Sequence, residues 1–199
     1  TDDMALLEAT GLTVTYGGLN ANDDIDLTCE AGKLVGLIGP NGAGKTTFID
    51  AITGFTPLSH GYVTFDGTDL AGLRPDARAK LGLVRTFQSL ELFEDLTVRD
   101  NLLVAADRPK WYSFLADVVR PSGGRNTAAK QADRALEALE LSHLADAHPS
   151  ELSHGQRKLI GVARALAAKP KLLLLDEPAA GLDTTESQLL GAHLRGFLD

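Results

Sequence analysis

Apolar positions change their spacing along the chain, and each change marks a different kind of element. Over residues 5–16 and again over 23–30, aliphatic and β-branched residues alternate with polar ones, as in strands with one wet face. The turn-rich "GGLNAND" between them predicts a connection. Lys33 to Gly39, "KLVGLIG", has no alternation, and its continuous apolar run predicts a strand buried on both faces that ends in glycines. Gly44 to Gly54 predicts a helix closed by glycine. A Pro- and Gly-containing turn follows, then a strand in "YVTFDG" at 62–67 and a short one in "LGLVRTFQ".

From about residue 89 to 169 the spacing becomes helical, predicting helices over 97–106, about 111–119, 127–141 and 153–169. In the second of these, Trp111, Phe114, Leu115, Val118 and Val119 make an apolar stripe, expected to pack on the chain itself rather than on a membrane partner. The stretch is an insertion, because "KLLLLDEP" at 171–178 returns as a buried strand. A last helix over 184–198 has Asp183 as its N-cap and Glu186 three residues later. No internal repeat or low-complexity segment interrupts this order.

Composition narrows the class. Hydrophobic content of 44% with 23% charged residues describes a packed globular chain. Nineteen basic against 27 acidic residues give a net charge of −8 with no basic run, so nucleic acid is not expected as a partner. The single Cys29 forms no internal disulfide; it is expected as a buried thiol, and the cytoplasm as the compartment. The aliphatic run Leu172 to Leu175 is far short of the ~20 residues that span a bilayer, so membrane contact is expected only through a partner.

The chemistry begins at Gly39-Pro40-Asn41-Gly42-Ala43-Gly44-Lys45-Thr46, which fits G-x-x-x-x-G-K-[ST] between a predicted strand and a predicted helix. Its glycines let backbone N–H groups turn inward around phosphates, and the helix dipole favours their charge. Lys45 reaches the outer phosphates and the Thr46 hydroxyl suits Mg²⁺. The alternative is a tight glycine turn that binds nothing. Asp176, at the end of an apolar run where a charge is costly unless it faces a site, suits the metal's water shell. Glu177 beside it suits a general base for water. Both could instead merely cap a strand. Gln88, after a short strand, has an amide that could reach Mg²⁺ or water, though a loop Gln alone is weak evidence. Tyr16 could stack on a nucleobase, although an aromatic at a strand end is more often packing. Ser153 and Gln156 form a capping box at the head of an amphipathic helix; with Gly155 and the helix dipole, the same residues describe a surface that a phosphate could approach.

Tyr16, "GPNGAGKTT" at 39–47, Gln88, "LSHGQRK" at 152–158, "LLLLDEP" at 172–178 and "AGLD" at 180–183 together resemble, in order, the ATP-binding subunits of ABC transporters. The resemblance covers nearly the whole chain. It implies an α/β fold: a P-loop NTPase core, mainly a parallel sheet with helices on both faces, plus an antiparallel β subdomain and a helical insertion. The core would comprise 1–88 and 170–199, and the helical signature subdomain 89–169. It implies MgATP held by Tyr16, Gly39 to Thr47 and Lys45, with Thr46, Gln88 and Asp176 as magnesium ligands and Glu177, Gln88 and Lys45 as catalytic residues. In such subunits the signature helix serves a second subunit, so Ser153, His154, Gly155 and Gln156 would touch the γ-phosphate of ATP bound by a head-to-tail partner, itself a copy or a close relative. Transmembrane permease subunits, and through them a solute-binding protein, complete the implied assembly on the inner face of the membrane.

"YGGLNA", "TGF", "VRTFQ", "LFEDLTVRDNLLVA" and "EPAAGLD" narrow the likeness to importer subunits for branched-chain amino acids, with urea importers close behind. His154 stands where Gly is commoner. The family's switch His lies beyond the catalytic Glu at the end of another core strand, whereas His193 falls inside the last predicted helix. His60, His143 and His148 lack metal-ligand spacing. A C-terminal truncation is therefore expected, and the resemblance implies nucleotide binding by this chain more firmly than hydrolysis. A soluble relative acting in translation or DNA repair would show a tandem cassette, a long coiled coil or a basic patch, and a P-loop phosphotransferase an acceptor pocket and lid. None of these is visible in the sequence.

Overall fold

The computed structural model describes residues 5–86, 92–106 and 123–196, with side chains at 123–126 left aside. Gln88 and the helix expected over 111–119 lie outside the described residues. The chain is a mixed α/β protein that divides into two compact units, one up to Arg85 and one from Thr86 onward.

The first unit is built on an antiparallel sheet in the order β2-β1-β3-β4, made of β1 (Leu7–Tyr16), β2 (Leu19–Cys29), β3 (His60–Phe65) and β4 (Thr68–Asp69). Leu7 pairs with Cys29 on one side and with Phe65 on the other, which seats Leu7, Leu12, Val14, Val63 and Phe65 in the core. Helix α1 (Lys45–Thr53) adds Phe48, Ile49, Ala51 and Ile52. The connection between β1 and β2 is shorter than the seven-residue "GGLNAND" stretch suggested. Gly17 and Gly18, both at positive φ, make the whole turn and the ladder resumes at Leu19. Polar side chains do not end a strand when its backbone can still pair.

A larger departure falls at Lys33 to Gly39. No strand forms there among the described residues. Leu34, Val35, Leu37 and Ile38, expected to be buried, are 60%, 45%, 39% and 98% exposed. An apolar run becomes a strand only where neighbours accept its N–H and C=O groups, and the four-stranded sheet pairs its strands without this segment.

Helix α2 (Pro75–Leu81) was not anticipated from spacing, being only two turns long. Its signals are nonetheless local: Pro75 in its first turn, Asp76 near its N-terminus, Arg78 and Lys80 in its last turn, and Gly82 at φ 107° closing it. Strand β5 (Leu83–Thr86) crosses the division between the units.

The second unit packs α3 (Val98–Ala106), α4 (Gly123–Ala138) and α5 (His154–Ala167) around Val98, Leu102, Ala132, Leu136, Ile160 and Ala163. Helix α6 (Thr184–Gly196) contributes Leu190 to the same core. Asn101, fully buried, accepts the Phe93 N–H and donates to the carbonyls of Phe93 and Thr97, so a core amide folds the loop before α3. Strand β6 (Leu172–Leu175) is half-buried rather than buried as the "LLLL" run suggested. Among the described residues no helix is long and apolar enough to cross a membrane.

Candidate functional site

The phosphate loop is formed as its residue types require. Gly42 and Gly44 sit at φ 82° and 81°, a left-handed geometry that side chains rarely adopt. Gly44 also has no room for one: a Cβ there would lie 2.7 Å from Asn22 Nδ2 and closer still to the Ala21 carbonyl oxygen. Asn22, a buried polar residue of β2, donates to the Gly44 carbonyl at 3.2 Å and so ties the loop to the sheet. Ala43 N–H donates to the Pro40 carbonyl, and Phe48 N–H to the Gly44 carbonyl at 2.8 Å. Lys45 folds back over the loop and donates from Nζ to the Gly39 and Pro40 carbonyls at 2.7 and 2.8 Å.

Helix α1 has Gly44 as its N-cap, with no side-chain cap and no acidic residue in its first turn. Its amide end lies beside the Lys45 ammonium and the exposed Thr46, and a helix end of this kind favours an anion. Thr47 follows in the same turn. Tyr16, at the far end of β1, is exposed, and its hydroxyl lies 3.2 Å from Thr56 Oγ1, which holds the phenol while leaving the ring accessible.

The acidic pair of the second unit stands at the end of β6. Asp176 is buried, whereas Glu177 is exposed and adopts φ 48°. For a residue with a side chain this backbone is strained, and strain of about 1–3 kcal/mol persists where the surroundings impose it. The chain turns at once: Ala180 N–H donates to the Glu177 carbonyl and Leu182 N–H to the Ala179 carbonyl. The turn projects Glu177 outward.

The capping box forms at the head of α5, with Gln156 N–H donating to Ser153 Oγ at 3.2 Å and Ser153 N–H to Gln156 Oε1 at 2.9 Å. Ser153 and His154 are exposed and Gly155 is buried. Three contacts bring this helix end against the segment after Glu177. Lys158 Nζ donates to the Ala180 carbonyl, His154 lies beside Gly181, and the Glu186 carboxyl group covers Gly155. None of these pairings has a local sequence signal. The Asp183–Glu186 cap of α6 is present as expected, Glu186 N–H donating to Asp183 Oδ1 at 2.7 Å.

Among the residues expected to be outside any site, His60, His143 and His148 are exposed, and His193 lies within α6, 3.9 Å from Glu140 Oε1. No cluster of three or more metal-ligating side chains occurs among the described residues.

Comparison with known proteins gives the family. The family model for "ABC transporter" matches residues 22–180. The chain belongs to the ABC transporter family. It is 39% identical over 190 residues to the high-affinity branched-chain amino acid transport ATP-binding protein BraF of Pseudomonas aeruginosa, covering 94% of this chain and 74% of that one. Among solved structures, an ATP-binding cassette of an ABC transporter in its ADP conformation matches with a TM-score of 0.82 at 32% identity, covering 98% of this chain and 77% of that one. A dimeric bacterial ABC transporter cassette matches with a TM-score of 0.76 at 25% identity, covering 96% and 82%. The chain is thus an ABC transporter ATP-binding subunit and an ABC-type ATPase, with a branched-chain amino acid transport subunit among its relatives.

Proposed function

We propose that this ABC subunit binds MgATP on the loop from Gly39 to Thr46 and works as half of a head-to-tail pair, and that its cycle powers import of branched-chain amino acids through permease subunits. The observation that carries this reading is the uncapped amide end of α1 beside Lys45, a site shaped for phosphate. Lys45, released from the Gly39 and Pro40 carbonyls, contacts the outer phosphates. Tyr16 stacks on the base. Glu177 orients and deprotonates the attacking water, a role worth roughly 10²–10⁴ in rate.

The Thr46 hydroxyl, the Asp176 carboxylate and the Gln88 amide oxygen would hold Mg²⁺, since all three are hard oxygen donors of the kind that ion takes rather than a thiophilic metal. When bound, the ion neutralises phosphate charge. Ser153, His154, Gly155 and Gln156 contact the γ-phosphate of a partner's ATP, a reading supported by the solved relative described as dimeric. In this assignment 1–88 and 170–199 form the nucleotide core and 89–169 the signature subdomain. The partner is a copy or a close relative. The branched-chain amino acid transport relative supports docking at the inner face of the membrane, with the solute-binding protein reached only through the permease.

Equilibrium binding of ATP with Mg²⁺ tests the loop. Lys45→Ala is expected to weaken binding by about tenfold or more, the size of a lost charge-assisted bond. Glu177→Gln is expected to bind ATP yet lose turnover, and to stop uptake of branched-chain amino acids in vesicles holding the complete transporter. ATP binding that is indifferent to Lys45 would overturn the assignment.

A further inference from the structure

The helix end that the proposed function reserves for a partner's phosphate is not bare. Gly155 is buried because the carboxyl group of Glu186 rests on it; a Cβ at Gly155 would lie 2.6 Å from the carboxyl carbon and 2.7 Å from Oε2. The carboxylate is held in place from behind. Asp183 N–H donates to Glu186 Oε2 at 3.1 Å, and the return bond from Glu186 N–H to Asp183 Oδ1 is 2.7 Å. Lys158 on the Ala180 carbonyl and His154 beside Gly181, whose Cβ would lie 3.5 Å from Nε2, strap the same segment to the first turns of α5. That segment starts at Glu177, whose carbonyl accepts Ala180 N–H at 3.1 Å.

The electrostatics explain the attraction. The N-terminus of a helix carries the equivalent of about half a positive charge, and α5 has no acidic residue in its own first turn. Ser153 satisfies the Gln156 amide only. Glu186, from another helix, supplies the missing anion. A γ-phosphate arriving at the same helix end meets that carboxylate, and two like charges at contact distance repel, more strongly the less water separates them. One helix end does not hold both.

We propose that Glu186 is a latch: an internal anion that occupies the phosphate-receptive end of α5 and that a partner's ATP must displace. The inference rests on the trans-site reading above. It links two events within one chain, since moving the carboxylate off Gly155 also releases Asp183 N–H and loosens the segment that begins at Glu177. Arrival of the γ-phosphate at the signature end is thereby coupled to the placement of the catalytic carboxylate, and ADP, which lacks that phosphate, leaves the latch closed.

The test uses the 199-residue chain carrying Glu177→Gln, titrated with MgATP while dimer formation is followed by sedimentation. Adding Glu186→Gln keeps an oxygen acceptor for Asp183 N–H and removes only the charge. The ATP midpoint for dimer formation, taken relative to the ATP affinity of the dilute chain, is expected to fall by about threefold or more. A purely structural role for Glu186 predicts the opposite sign, because a damaged cap weakens closure. Glu186→Ala, which removes charge and acceptor together, is expected to lower the unfolding temperature and still close at less ATP than the parent. A dimer whose midpoint is unchanged or raised in Glu186→Gln overturns the latch alone. A parent that stays monomeric at saturating MgATP overturns the trans-site reading and the latch with it.

Discussion

Cys29 ends β2 with its thiol buried, 3.6 Å from the Glu30 carbonyl and 4.0 Å from that of Lys33. Burial first, and the Glu30 charge second, push its pKa up. A thiol whose native pKa lies above its unfolded value, about 8.5, stabilises the fold fully below that value, and the contribution is lost as pH rises through the native pKa. The urea midpoint of the wild type is therefore expected to drop more steeply above about pH 8.5 than that of Cys29→Ala, and parallel curves would count against it. The buried thiol was legible from residue type alone, and so was the phosphate loop, because Gly42, Gly44 and Lys45 answer demands made within eight residues of chain. Glu186 over Gly155 and Lys158 on Ala180 were not legible. Each joins residues distant in sequence, and no local pattern of charge or spacing encodes such a meeting.

Helices α1 and α2 meet through Arg78, a buried cation whose guanidinium donates to the carbonyls of Ala51, Ile52, Leu70 and Leu73 at 2.7–2.9 Å. Ala51 and Ile52 lie in the last turn of α1, where a positive charge complements the helix dipole, and Gly54 at φ 85° leaves space for the guanidinium. Burial lowers the Arg78 pKa, yet the group stays charged at any ordinary pH. Replacing it by Met takes this donor from the Ile52 and Leu73 carbonyls, each costing about 1–3 kcal/mol if left dry, whereas the Ala51 carbonyl keeps Gly54 N–H and the Leu70 carbonyl keeps Leu73 N–H. They do not all stay dry, because Arg78 lines a pocket of about 530 Å³ that admits water. The expected loss is therefore about 2–3 kcal/mol by urea unfolding, near one unsatisfied group rather than two. Arg78→Lys should recover only part of it, since a compact ammonium cannot span the α1 end and both loop carbonyls. Sequence spacing missed α2, too short for a period to show, and overstated Lys33 to Gly39, whose apolar run says what the segment would bury but not which strand would accept it. Longer elements with caps, α5 and α6, were legible because periodicity and terminal residues agree over several turns.

The proposed site is shared between two chains, and that has a consequence no single-chain site can imitate. In a head-to-tail pair each nucleotide meets the phosphate loop of one chain and the signature end of the other, so the two halves fail independently. Lys45→Ala disables the loop. Ser153→Glu places a negative charge at the exposed head of α5, where the partner's phosphate would dock, and being exposed it spares the core. Each variant alone is expected to be inactive. In a mixed pair, however, the intact loop of the second faces the intact signature end of the first, and one complete site returns. If the chains exchange freely and the two sites act independently, half of the pairs in an equal mixture are mixed and half of their sites work, so hydrolysis is expected to recover to about a quarter of the wild-type rate. Cooperative sites would lower that figure without abolishing it. A mixture as inactive as its components would mean that the loop and the signature end serve the same chain, and it would remove the reason for ATP to bring two copies together.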